Sequence, residues 1–444
     1  MQVDMTEPST RTERLARRVA AHERATLTAV LLLGLLIRLP FIATDQRIIA
    51  DPAIFVEWAG YLRTGGPAEL TGATGSMVLY PPLSTLAIWT AGVVGGFGDG
   101  PSPGSPAAIL TLLKALAIAG DLGLGWLVSR LLAPGGALVR VAGAAAIVLN
   151  PAFWYLSTLW GQLDSVSVLL MVAAIAALAA GRSTMAWAGW AGSVLWKLTA
   201  VPLAPVIAVG TVRAAGWRAG AIGVTSAMMV ALAAGALQLR GDDWASYAAR
   251  LWPPRTELDV SAFNAWYLVG AGHPWGADLV PWLSAAAGSN IAWLLVGGIT
   301  VCVGAAMWRR PDAVGLALPA AICTLAAFGW LTDVHERYLL AVIPFLALIA
   351  GGWEAGRVDR PALVAFVVIN ATQTLNLIAV GSFAPSLWVN IFAAVPNGPL
   401  AMPIVTLGYA AAVANLAVLG WALRRVVRRA WVVEGDLAAR AGQA

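Results

Sequence analysis

Histidine, cysteine and charge are all scarce in this chain. Its 444 residues include three histidines and two cysteines, and only 11% are Asp, Glu, Lys or Arg, against about 25% in a soluble domain. The charge deficit excludes an ordinary water-facing globule. Cys302 and Cys323 both lie inside apolar runs, which argues against a disulfide framework and a Cys/His metal site. No second histidine stands near His335, so a histidine-based zinc site has no support. Low-complexity segments and evident internal repeats are also missing. The lack of a repeat counts against transporters built from inverted repeats.

What the chain has in abundance is apolar residues, 59% of the total. Runs of about 18 to 25 residues recur from Thr26 to Val426, each long enough for a hydrocarbon core of about 30 Å. Backbone groups in lipid must be paired internally, so the runs are expected to be helices. They lack the two-residue alternation of an outer-membrane barrel. The net charge is +5, but the arginines fall in short clusters between apolar runs. That pattern fits orientation signals better than nucleic-acid binding.

With the arginine clusters on the cytoplasmic side, about twelve spans result. They lie near residues 26–43, 107–130, 140–156, 164–181, 184–196, 198–211, 219–238, 286–308, 312–331, 338–354, 361–381 and 400–423. One transmembrane domain, 26–424, is then flanked by cytoplasmic tails, 1–25 and 425–444. The first span reads as uncleaved, because Thr44-Asp45-Gln46 makes a poor signal-peptidase site. Two long outer loops follow, about 44–106 and 238–282. The first is expected to carry two surface-lying helices, one near Asp51–Leu62 with Ile54, Phe55, Trp58 and Tyr61 on one face, and one near Pro82–Phe97. Four polar segments then share the outer side: 45–82, 150–165, 240–275 and 332–338.

Ionisable residues near membrane depth are costly, so each is a functional candidate. Asp51, followed by Pro52, either caps a helix or accepts the proton of an attacking hydroxyl. Tyr80-Pro81-Pro82 forms a sharp helix entry or contacts substrate. Asn150-Pro151 ends a span, and Trp160-Gly161-Gln162-Leu163-Asp164-Ser165 opens the next. There Asp164 caps the helix, binds sugar or serves as an alternative base. Asp121 lies two turns from Lys114 on one helical face, which suggests a structural pair between them or with other spans. Lys197 holds a phosphate or snorkels to the interface. Asp333-Val334-His335-Glu336-Arg337-Tyr338 is the densest polar cluster at any span end. Its Arg337 fork and His335 suit phosphate oxygens. In the second loop, Arg255 adds a cation, and Asn264 and Trp266 suit either a sugar ring or an interfacial belt.

Taken in order and on a common side, these segments resemble the GT-C class of membrane glycosyltransferases over roughly 38–345. The likeness is to bacterial relatives of the GPI-anchor mannosyltransferases and of the N-glycan glucosyltransferases. It rests on Asp51, Tyr80-Pro81-Pro82-Leu83, Lys114 with Asp121, Asn150-Pro151, Trp160 to Ser165, Trp196-Lys197, Ala262 to Trp266, and His335 to Tyr338. The resemblance implies an all-α polytopic bundle and inverting transfer of a sugar, mannose first, from a polyprenyl-phosphate donor. It implies an extracytoplasmic site in the plasma membrane and a glycan, lipid or protein acceptor. Asp51 would be the base, with Asp164 as the alternative. His335, Arg337, Lys197 and Arg255 would hold the donor phosphate. Tyr80, Trp160, Gln162, Asn264, Trp266 and Glu336 would contact substrate. No cofactor is expected, and class members differ in their use of a divalent metal. Asp51 lacks the adjacent second acidic residue of members with a paired acidic motif. The main rival is a transporter or lipid-linked-glycan flippase. A scaffold, and a ligase or polymerase acting on diphosphate-linked glycans, are further alternatives.

Overall fold

The computed structural model describes residues 11–43, 50–66, 78, 80–96, 105–236, 258, 262–270, 283–380 and 401–432. Much of the second expected loop and the end of the C-terminal tail lie outside them. Among the described residues the fold is all-α, with no strand. Among the same residues, seven helical stretches are long and apolar enough to cross a membrane, and three shorter apolar helices accompany them. The chain is thus an all-α polytopic membrane protein.

The helices in order are α1 (Arg11–Ala21), α2 (Glu23–Leu36), α3 (Leu39–Ile42), α4 (Ala50–Gly65), α5 (Pro82–Gly95), α6 (Pro106–Leu131) and α7 (Ala137–Val148). Next come α8 (Pro151–Trp154), which runs on as a π-helix over Tyr155–Trp160, α9 (Asp164–Ala179), α10 (Ser183–Trp196) and α11 (Ala204–Ala236). The remainder are α12 (Ala265–Val269), α13 (Ala285–Arg309), α14 (Pro311–Val314), α15 (Ala317–Trp330), α16 (Ile343–Ala350), α17 (Arg360–Val380) and α18 (Ala401–Val427).

Local chemistry explains several of the boundaries. Ser105 and Ser284 cap α6 and α13 through their hydroxyls, and Pro106 stands at the first turn of α6, where a missing N–H costs nothing. Gly216, at φ 83°, breaks α11 into two limbs. A left-handed residue there is cheap only as glycine. Lys197 is extended, at φ −157° and ψ 134°, and separates α10 from a 3-10 helix over Leu198–Leu203.

Helix packing relies on small residues, as expected where lipid removes most of the hydrophobic drive between helices. A Cβ on Gly120 of α6 would come within 3.0 Å of the Val166 amide nitrogen, so α6 and α9 approach at backbone distance. The same closeness joins α5 to α4, where a Cβ on Gly92 would sit 2.5 Å from the Ala59 carbonyl oxygen. Both first-loop helices form. The buried face of α4, however, is Phe55, Trp58, Ala59 and Leu62, with Ile54 and Tyr61 only half-buried. Docking on α5 and α6 rotates the covered face from the one expected.

The bundle has two chemically distinct ends. Arginines gather at one: Glu23 pairs with Arg140 and Asp359 with Arg425, and the Arg309 Nε donates to the Ala430 carbonyl at 3.2 Å. Arg213, beside the α11 break, lies 5.2 Å from the Trp308 ring. Glu354 accepts from the Leu316 and Ala317 amides at the start of α15. Irregular connections gather at the other end, described below.

Two outcomes follow from this packing. Gly120→Val should lower unfolding stability by about 1–3 kcal/mol, read by thermal unfolding in nanodiscs. Burial alone would raise the Asp359 carboxyl. The Arg425 hydrogen bond, the Ala362 amide and the Arg425 charge outweigh it and hold the group below its ordinary range. Its contribution is therefore present above the unfolded carboxyl pKa of about 3.9 and is lost as pH falls through the lower folded value. Asp359→Asn should remove that part of the acid dependence, measured as melting temperature against pH.

Candidate functional site

The site forms where the chain leaves helical geometry. The π-helix ends at Gly161, whose φ of 74° reverses the backbone, and the Gln162 amide then closes on the Leu156 carbonyl at 2.8 Å. That hook turns Trp160 and Gln162 toward Asp51 in the first turn of α4. Asp51 Oδ2 accepts from Trp160 Nε1 at 3.1 Å and from Gln162 Nε2 at 2.5 Å. Gln162 Oε1 in turn accepts from the Tyr80 hydroxyl at 3.2 Å. Tyr80 packs against Phe55 and Trp58 of α4, each at a ring separation of 5.5 Å. Burial pushes its phenol well above the ordinary range, so it remains a hydrogen-bond donor.

The cationic side comes from the turn after α15. Asp333 adopts φ 59°, an uncommon conformation for a residue with a side chain. A 3-10 helix over Glu336–Val342 begins just beyond it. Arg337 Nη1 lies 3.6 Å from Asp51 Oδ2 and 3.0 Å from Glu336 Oε1. Its guanidinium sits 5.6 Å from the Trp160 ring and 5.7 Å from the Tyr338 ring, and its buried Nε has no hydrogen-bond partner. His335 Nδ1 is 3.8 Å from Glu336 Oε2. Burial would raise the Glu336 carboxyl, but the His335 hydrogen bond and the Arg337 charge overcome it and hold the group below its usual range.

A second charge pair stands alongside. Lys197 Nζ contacts both Asp164 oxygens at 2.7 Å and lies 5.7 Å and 5.2 Å from the Tyr80 and Tyr338 rings. The Ser84 hydroxyl fixes this corner by donating to the Trp196 carbonyl at 2.8 Å. The side chains of Arg337, Glu336, Lys197 and Asp164 are all under 10% exposed, whereas Asp51 is 25% and His335 35% exposed. Solvent therefore reaches Asp51 and His335 first.

A cavity of about 460 Å³ opens beside these groups. Tyr80, Lys197, Asp333 and Tyr338 form its polar end. Its apolar length runs along Trp293 to Thr300 of α13 and Thr324 to Leu331 of α15. Such a space suits an amphiphile, with a polar group at the charged end and a hydrocarbon chain between helices.

The sequence expectations fare unevenly against this geometry. Asp51, Tyr80, Trp160, Gln162, Asp164, Lys197, His335, Glu336 and Arg337 converge on one site. Several are committed to one another. Trp160 and Gln162 hold Asp51, and Asp164 is paired with Lys197 and makes no side-chain cap on α9. Asn264 and Trp266 serve backbone instead. Asn264 Oδ1 caps α12 and its Nδ2 donates to the Phe328 carbonyl at 3.2 Å, while Trp266 Nε1 donates to the Trp330 carbonyl at 2.5 Å. Arg255 lies outside the described residues. Asn150 caps α8 and hydrogen-bonds Asn370 of α17, ten helical residues before Trp160. Lys114 donates to the Phe41 carbonyl at 3.0 Å, and the partner of Asp121 is Arg38. A structural pair between Asp121 and another span was therefore the right alternative, although the sequence did not name Arg38 as the partner. The role of Tyr338 was not expected. Among the described residues, no group of three or more His, Cys, Asp or Glu is arranged to hold a metal.

No protein-family model matches the chain, and no curated protein matches it. The functional reading therefore rests on the site.

Breaking the second pair has a clear expected cost. Lys197→Met leaves the buried Asp164 carboxylate without its cation and should destabilise the fold by about 3–5 kcal/mol, seen as a lowered unfolding midpoint in detergent.

Proposed function

We propose that this protein is an inverting glycosyltransferase of the GT-C type, moving a sugar, mannose first, from a polyprenyl-phosphate carrier to an acceptor hydroxyl. One observation carries this reading. A partly exposed carboxylate, Asp51, faces a buried arginine, Arg337, across 3.6 Å, near a largely apolar cavity lined by α13, which is long enough to cross a membrane, and by the shorter apolar helix α15.

In this mechanism the carrier chain lies in the cavity and its phosphate reaches Arg337 from the polar end. Donor entry parts the Asp51–Arg337 contact. The acceptor oxygen attacks the anomeric carbon while Asp51 takes its proton. The bond from that carbon to the phosphate oxygen breaks, and its electron pair leaves with the phosphate. Arg337 stabilises the charge that grows there, and His335 stands close enough to add a donor. Trp160 and Gln162 hold the base in place. A preset base is worth about 10²–10⁴-fold in rate.

The charge distribution supports a site on the extracytoplasmic side of the membrane, which we take to be the plasma membrane. Arg182 follows α9 and Asp164 opens it. Its 16 residues rise about 24 Å at 1.5 Å each, and the other arginine clusters lie at the same end as Arg182. Arginine-rich ends face the cytoplasm. Twelve crossings fit the helix directions if the limbs of α11 count separately and the shorter helices α9, α10, α15 and α16 also cross.

The test uses purified protein in nanodiscs with radiolabelled polyprenyl-phosphate mannose and cell-envelope glycolipid as acceptor. Asp51→Asn should cut transfer by about 10²-fold or more with donor binding within a fewfold of wild type. Undiminished transfer in that variant refutes the base assignment. Donor movement across a liposome bilayer without any transfer favours the flippase.

A further inference from the structure

One buried charge pair lies outside the site yet touches the elements that build it. Arg38, in the break between α2 and α3, is fully buried, as is Asp121 of α6. Arg38 Nε and Nη2 reach Asp121 Oδ2 at 3.1 and 2.8 Å. Arg38 Nη1 donates to the carbonyls of Gly34 at 2.8 Å and Val148 at 2.7 Å. The other Asp121 oxygen accepts from the Ser165 hydroxyl, and Ser157 of the π-helix, whose hydroxyl donates to the Trp154 carbonyl at 3.4 Å, stands beside the same carboxylate. Arg38 has an acceptor for each of its nitrogens, so the pair is satisfied as well as buried.

These contacts reach both halves of the site. Ser165 is the residue after Asp164, which holds Lys197. Ser157 lies on the π-helix whose end presents Trp160 and Gln162 to Asp51. A buried ion pair is weak evidence for stability, because apolar residues of similar volume often serve as well or better. Ionisable residues within a membrane bundle call for a functional account. Directionality is what apolar packing cannot supply here: the carboxylate specifies where the Ser165 hydroxyl and one guanidinium stand, with the π-helix packed beside it at Ser157, and hence the register of the π-helix against α9.

We propose that Arg38 and Asp121 are positioning residues. They set the π-helix and the start of α9 so that Asp51 is held by Trp160 and Gln162, and Lys197 by Asp164. The kinetic part rests on the proposed transferase reading; the geometric part does not. A single substitution would leave an uncompensated charge and confuse folding with function. The informative variant is therefore the double replacement Arg38→Met with Asp121→Leu, which removes both charges and keeps apolar volume. A second variant, Ser165→Ala, leaves the pair intact and cuts its link to α9.

Two readouts apply to nanodisc-reconstituted protein. One is the rate at which a water-soluble carbodiimide with glycine methyl ester modifies Asp51, followed by peptide mass spectrometry. The other is transfer kinetics with radiolabelled polyprenyl-phosphate mannose. The double variant should fold with a melting temperature near that of wild type. Its Asp51 labelling should rise severalfold, and its kcat should fall on the order of 10²-fold with KM for the donor unchanged, as for a misplacement of about 1 Å. Ser165→Ala should move both readouts in the same direction. Wild-type labelling and kcat in a folded double variant would overturn the proposal. If the double variant does not fold, Ser165→Ala decides: raised labelling supports the proposal and wild-type labelling overturns it. If wild type transfers no sugar, the transferase reading fails, and the labelling comparison still judges the positioning role.

Discussion

A membrane interior supplies no water to satisfy a polar group, and the arrangement of this protein follows from that constraint. Arg38 lies against Asp121, Lys197 against Asp164, and Arg337 against Glu336. The same constraint shapes the non-helical backbone. The Phe263 amide donates to Asn376 Oδ1 at 2.9 Å, and its carbonyl accepts from Asn415 Nδ2 at 3.0 Å. Two helices, α17 and α18, thus use side-chain amides to bring a stretch of irregular chain into the bundle. Asn264 does the same for the start of α12.

Departure from the helix is what makes chemistry possible here. Within a helix a carbonyl is already engaged and side chains project outward at fixed angles. The π-helix, the left-handed Gly161 and the strained Asp333 turn release the chain from that geometry, and each break delivers side chains to one place. The site is consequently built from residues far apart in the chain, held by short polar contacts. Asp51 stands out because it is more exposed than the groups that hold it. A carboxylate fixed on one side by an indole and an amide, and a quarter exposed to solvent, is suited to handle a proton. The arginine beside it is suited to meet an anion. The proposed transfer chemistry needs both, and the apolar cavity between α13 and α15 gives a lipid-borne donor a place to lie.

Much of this was legible in the residues themselves. Apolar run lengths identified helices, and arginine spacing marked the ends that later clustered. The segments around Asp51, Tyr80, Trp160 to Asp164, Lys197 and His335 to Arg337 stood out because polar residues interrupt apolar runs. The partnerships were not legible. Lys114 and Asp121 share a helical face, yet each is bound elsewhere, because Arg38 approaches Asp121 from the break between α2 and α3, 83 positions away. Asn264 and Trp266 had the composition of a sugar platform and proved to serve nearby carbonyls and amides. The buried face of α4 depended on where Gly92 let α5 approach, which periodicity within α4 could not report.

By itself, the order of residues determined that the chain is helical, membrane-embedded and polar at its helix ends, since these depend on hydrocarbon thickness and on the cost of unpaired groups. Tertiary structure alone decided which charge meets which, and therefore which carboxylate is open and which is spent. That choice depends on distances between helices, which are set by close approach at glycines and by the directions of a few buried hydrogen bonds. No local pattern along the chain encodes those distances.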